Sequence, residues 1–161
     1  MNADRSIADR SQPQSWMPIL VLSVQEVFEI MLGCRVQPME TPEPRPNGEF
    51  TAMVGLAGAI CGVLTFSCGG KTAVQIAKCM LGPEIASSED QVSDALGEIC
   101  NMIGGNFKNK LAGLDGRCML SVPTVINGGE YSLRSLADGT PLEVVMQFEG
   151  GPIVVCLELH N

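Results

Sequence analysis

The sequence predicts an α+β domain: a mainly antiparallel sheet of about six strands, two long helices packed on one face, and one short helix beside them. Three observations predict it. Two stretches carry apolar residues at helical spacing and end at glycine. A run of twenty-one uncharged residues, 50–70, breaks at Gly58 into two strand-length pieces. The last third of the chain reads as further short strands, the final two joined at Gly150-Gly151. With 161 residues, 45% hydrophobic and 17% charged, the chain has the size of one domain and material for its own core. That balance excludes a disordered or fibrous chain.

Residues 1–14 are polar, with no apolar segment after the arginines, and read as a flexible tail rather than a secretory signal. Residues 15–161 are then the domain. Ser15 is placed to cap a helix from Trp16 to Leu32, where Leu20, Val24, Val27, Phe28 and Met31 form one stripe and Gly33 supplies the stop. The segment 41–48, TPEPRPNG, holds three prolines and reads as an extended loop. Residues 50–70 are long enough to cross a bilayer, and Gly58 with Gly62 forms a GxxxG pair. Five glycines, two internal threonines and few leucines favour instead a buried hairpin of 48–56 and 59–67.

Residues 69–83 read as a short helix with Val74, Ala77, Met80 and Leu81 on one face, stopped by Gly82 and Pro83. A longer helix is predicted from Glu89 to Ala112. Ser88 with Gln91 makes a capping box, and Ser87 with Asp90 is the alternative frame. Glu89 and Asp90 suit its positive end, Lys108 and Lys110 its negative end, and Gly113 closes it. Strands are predicted at 117–122, at 124–133 with an interruption, at 142–149 and at 152–160. A helix followed by paired strands thus occurs at 16–67 and again at 88–160, an architectural hint of duplication without residue identity behind it.

Ten Lys and Arg against eighteen Asp and Glu give a net charge of −8. Nucleic-acid affinity rests on neutralising phosphates, so no nucleic-acid partner is expected. The acidity either keeps the protein soluble or steers a basic partner. Seven cysteines at 34, 61, 68, 79, 100, 118 and 156 form no CxxC unit. An odd count without a signal peptide points to reduced thiols and a cytoplasmic protein. The only histidine is His160, so a His-based triad or metal centre has no material.

On the long helix, Val92, Ala95, Leu96, Ile99, Ile103 and Phe107 converge on one side and define its core face. Asp94, Glu98, Asn101 and Gly105 fall on a separate strip pointing away from it. Two carboxylates one turn apart cost a few tenths of a kcal/mol, and Gly97, Gly104 and Gly105 cost about 1 kcal/mol each against alanine. Such losses suggest a face shaped for close approach; the plainer reading is a solvated face whose glycines admit neighbouring helices. Asn106 falls within the apolar stripe and reads as structural, its carboxamide bonding the backbone of a neighbouring element.

The segment from Asp94 through Glu98 and Asn101 to Asn106, DALGEICNMIGGN, resembles the signature helix of the CheC/CheX/FliY phosphatases of bacterial chemotaxis. That pattern is Asp or Ser, three residues, Glu, two residues, Asn, and a proline about twenty-two residues on. Asp94, Glu98 and Asn101 match in spacing, and Pro123 follows after twenty-one intervening residues, one short of the pattern. The run after the asparagine is similar to the CheX branch, as are the endings MLG and MLGPE of the first and short helices. Glu26 is followed at +3 by Glu29 rather than asparagine, so the resemblance implies one site per chain.

What the resemblance implies is a hydrolase for the phospho-aspartate of a CheY-like receiver domain. Asn101 would orient the attacking water and Glu98 would pair with the receiver's lysine. Asp94, Gly105 and Pro123 would lie at the partner interface, with Asp94 either a flanking contact or a helix-support residue. The protein would need no cofactor or metal ligands of its own, because Mg²⁺ belongs to the receiver. The family also implies a homodimer joined through its sheets.

Three other readings compete. Gly70-Lys71-Thr72 follows a strand and opens a helix, as in a nucleotide-binding loop, but Thr65 stands where that motif needs glycine. Asp94 and Glu98 as a metal or glycosidase pair lack a second ligand set or an aromatic platform, aromatic residues being 4% of the chain. A non-catalytic module that docks a receiver or motor component through the same face remains open.

Overall fold

In a computed structural model of the chain, residues 16–40, 48–84, 88–111, 117–136 and 139–160 are described. The proposed tail, Ser15, most of the 41–48 loop, Ser87 and Gly113 lie outside them. Three helices, α1 (Met17–Leu32), α2 (Gly70–Leu81) and α3 (Glu89–Lys110), accompany seven strands. The strands are β1 (Gln37–Met39), β2 (Phe50–Gly58), β3 (Cys61–Cys68), β4 (Cys118–Leu120), β5 (Thr124–Asn127), β6 (Leu142–Phe148) and β7 (Gly151–His160). They form one sheet in the order β1-β6-β7-β3-β2-β4, with β5 also on β2, and every pairing is antiparallel. The α+β expectation holds.

Period-2 alternation turns Ala52, Val54 and Leu56 of β2, Leu64, Phe66 and Cys68 of β3, and Ile153, Val155 and Leu157 of β7 to one face. All three helices pack there: α1 against β6, α2 against β7, and α3 against β2, β3 and β5. Leu20, Val24, Val27 and Phe28 of α1 and the whole predicted apolar stripe of α3 are buried in one continuous core. Phe28 is its hub, stacked on Phe66 (centroids 6.1 Å) and edge-on to Phe148 (5.5 Å). The uncharged run 50–70 is a hairpin followed by the start of α2, and no helix among the described residues is long and apolar enough to cross a membrane.

Helix ends follow their local chemistry. Gly33 adopts φ 64°, its N–H donates to Glu29 O and that of Cys34 to Phe28 O, closing α1. Ser88 Oγ accepts from Gln91 N–H (3.2 Å), so this frame caps α3. The helix stops at Lys110, two residues before the expected Ala112, with Leu111 extended and buried.

Several expectations need correction. The last hairpin pairs Phe148 with Gly151, so its two-residue turn is Glu149-Gly150 rather than Gly150-Gly151. Thr72 Oγ1 donates to Gly150 O (2.9 Å), and a Cβ on Gly151 would meet that hydroxyl at 2.7 Å. This contact turns Thr72, Ala73 and Ile76 of α2 inward beside Ala77, leaving Val74 and Met80 half-buried and Leu81 exposed. The predicted strand 117–122 is Cys118–Leu120, and 124–133 keeps only Thr124–Asn127. Tyr131 beyond it lies in irregular chain, its hydroxyl donating to Gly48 O and accepting from Thr51 Oγ1 (2.6 Å). Strand β1, Gln37-Pro38-Met39, was not foreseen. A three-residue edge strand centred on proline has no readable alternation, and its pairing with β6 creates it.

Candidate functional site

Helix α3 lies along the edge of the sheet, and its glycines set how close it comes. A Cβ on Gly104 would stand 3.2 Å from Val54 and 3.5 Å from Leu64, and one on Gly97 would stand 3.4 Å from Val125 and 3.6 Å from Pro123. Both glycines are buried. The close approach read into these positions is therefore made by the chain's own sheet, not by a visitor. Gly105 differs. It is half-buried, and its nearest neighbour would be Leu120 at 3.8 Å.

With one side of α3 occupied, the strip about a quarter-turn away is left outward. Asp94 and Glu98 are exposed, and Asn101 is half-buried. Among the described residues none of the three side chains makes a hydrogen bond or ion pair. An exposed carboxylate and an uncommitted carboxamide thus stand one turn apart on a helix whose opposite side is locked into the core. Pro123, between β4 and β5, packs against Gly97 and so comes beside the strip. The structure brings all five predicted site residues, Asp94, Glu98, Asn101, Gly105 and Pro123, to one edge of the molecule.

Asn106 shows what a committed carboxamide looks like. Its Nδ2 donates to Glu26 Oε2 (2.9 Å) and lies 3.4 Å from Ser23 O, tying α3 to α1 as the sequence suggested. Lys110 Nζ pairs with the same Glu26 oxygen (2.7 Å). Lys110 first, and Asn106 second, hold the Glu26 carboxyl below its ordinary range. Glu26 is therefore a helix tie. Sequence reasoning had no partner for it, because both partners lie eighty or more positions away.

The alternatives find less support. A Cβ on Gly70 would meet the Glu49 carboxylate at 2.5 Å, so an acidic group already sits at the start of α2 where a phosphate would bind. The Thr72 hydroxyl is spent on Gly150. No group of three metal-ligating side chains occurs among the described residues. Burial pushes the Cys68 and Cys100 thiols up to about 12, which leaves them inert as nucleophiles.

Comparison with known proteins points one way. The profile of the family "chemotaxis phosphatase CheX" matches residues 50–147. The CheY-P phosphatase CheX of Thermotoga maritima is 27% identical over 120 residues, covering 72% of this chain and 77% of its own. The crystal structure of CheX from Vibrio vulnificus superposes with a TM-score of 0.78 at 21% identity, over 90% of this chain and 96% of that one. The CheX of Borrelia burgdorferi, solved in complex with CheY, beryllium fluoride and magnesium, gives 0.71 at 22% identity over 91% and 98%. A profile spanning more than half the chain, and including the whole of α3, decides the matter: the chain belongs to the CheX family of chemotaxis phosphatases.

Proposed function

We propose that this protein hydrolyses the phospho-aspartate of a CheY-like receiver domain and so ends a two-component signal. One observation carries the reading: Glu98 and Asn101 stand outward and uncommitted on a buried helix of a CheX-family chain. In the reaction, water attacks the phosphorus, the bond to the aspartyl oxygen breaks, and inorganic phosphate and aspartate leave. Catalysis here is positioning and charge stabilisation. A carboxamide is no base, but its acceptor and donors can hold a water in line with the leaving oxygen, and this is the task assigned to Asn101. Glu98, exposed one turn away, pairs with the receiver's lysine and sets the register. Mg²⁺ comes with the receiver. Asp94 flanks the contact, and Gly105 leaves room for the partner's backbone.

The proposal extends to a cytoplasmic setting, supported by seven free cysteines, and to a homodimer, which sedimentation would test. Phosphate release from a phosphorylated receiver tests the chemistry. The wild type is expected to accelerate it, and Asn101→Ala to lose about 10²-fold or more while keeping receiver binding. Glu98→Lys is expected to weaken binding through charge reversal. Equal rates from wild type and Asn101→Ala would leave a docking module without catalysis.

A further inference from the structure

Beside the strip, the edge of the sheet carries one residue more than its partner strand. Leu56 pairs with Leu120 and Met53 with Thr124. Between those pairs β2 has two residues, Val54 and Gly55, while the edge has three, Ser121, Val122 and Pro123. This is a β-bulge, a device that re-aims a side chain and recurs next to active sites. Both flanks are pinned. Ser121 N–H donates to Gly55 O (2.9 Å), Gly55 N–H donates to Ser121 Oγ (2.8 Å), and Pro123 packs against Gly97. Val122 between them is 84% exposed, the most exposed large apolar side chain among the described residues.

Its position along α3 follows from the contacts on either side. Leu120 meets the helix at Gly104 and Gly105, and Pro123 meets it at Gly97. The bulge therefore stands beside the intervening turns, which carry Glu98 and Asn101. The β-branched side chain is stiff about χ1 and sits on an anchored backbone, so little order is lost on covering it.

We infer that Val122 is a receiver-contacting residue, covered in the docked complex and holding the receiver over the strip that carries Glu98 and Asn101. This rests on the receiver-phosphatase reading of the same edge. The occupant is argued from continuity: a partner that offers a cation to Glu98 and an acyl phosphate to Asn101 must also lie over the bulge. The division of labour is physical. Asp94 and Glu98 orient the encounter through charge, while an apolar contact slows departure without adding a polar group to desolvate.

The experiment measures phosphate release against concentration of the host's phosphorylated CheY-like receiver, together with titration of that receiver loaded with beryllium fluoride. Val122→Asp is expected to raise KM and Kd about tenfold or more with kcat within about twofold, and Val122→Ile to restore the wild-type values. Ile30→Asp, also at an exposed apolar position but on α1, should change nothing. Unchanged KM and Kd in a folded Val122→Asp protein overturn the inference and leave the phosphatase reading intact. A wild type that binds the receiver without releasing phosphate ends the phosphatase reading, and Kd alone then decides Val122. A wild type that neither binds nor hydrolyses overturns both.

Discussion

Two asparagines five positions apart on α3 have opposite fates. Asn106 is bonded across to α1 and Asn101 to nothing among the described residues, because the helical turn puts one beside a neighbouring helix and the other at the open edge. The tie at Asn106 has a measurable signature. Lys110 and Asn106 depress the Glu26 carboxyl in the folded chain, so its stabilisation is present above the unfolded value near 4.5 and is lost as pH falls through the lower folded value. Glu26→Gln is thus expected to cost at most about 1 kcal/mol at pH 7, the pair being partly exposed. The gap between variant and wild type should narrow below pH 4.5 and close as pH falls through the lower folded value, and urea unfolding at several pH values checks it.

The three glycines of α3 separate packing from function at the scale of the element. An alanine gains up to about 1 kcal/mol of helix propensity wherever its Cβ finds room. At Gly104 that Cβ would crowd Val54 at 3.2 Å, and part of the gain is lost to overpacking. At Gly105 the space is open, with Leu120 at 3.8 Å. Gly105→Ala is therefore expected to raise Tm by about 2–4 °C while raising KM for the phosphorylated receiver, since the space it fills is the one proposed for the partner. Thermal denaturation and the phosphate-release assay on one preparation read both. A higher Tm with unchanged KM would remove Gly105 from the interface.

For the whole molecule, the sheet and three helices share one core in which Phe28 touches both halves of the sheet, through Phe66 of β3 and Phe148 of β6. Phe28→Ala is expected to cost about 3–5 kcal/mol, read as a lower urea midpoint. The site should fail only when the fold does, because Phe28 is fully buried and far in sequence from the strip. Activity measured below the unfolding midpoint would then match wild type, whereas Asn101→Ala would lose activity with stability intact.

The helices, the 50–68 hairpin and the final strand pair were legible because each is local. A 3.6-residue stripe, a capping serine or an alternating run with a glycine break leaves its mark within a dozen residues. The strip of Asp94, Glu98 and Asn101 was legible for the same reason, being one face of one helix. Strand β1, the inward side of α2, the shifted turn at Glu149-Gly150, the Glu26 tie and the bulge at Val122 were not. Each is decided by a contact across the chain: β6 for β1, Gly150 for Thr72, Lys110 for Glu26, and β2 for the bulge. The sequence by itself determined which groups the helix presents. Only the tertiary structure decided which glycines were spent on the protein's own sheet and which edge was left open, because burial depends on what packs opposite a residue as well as on what it is.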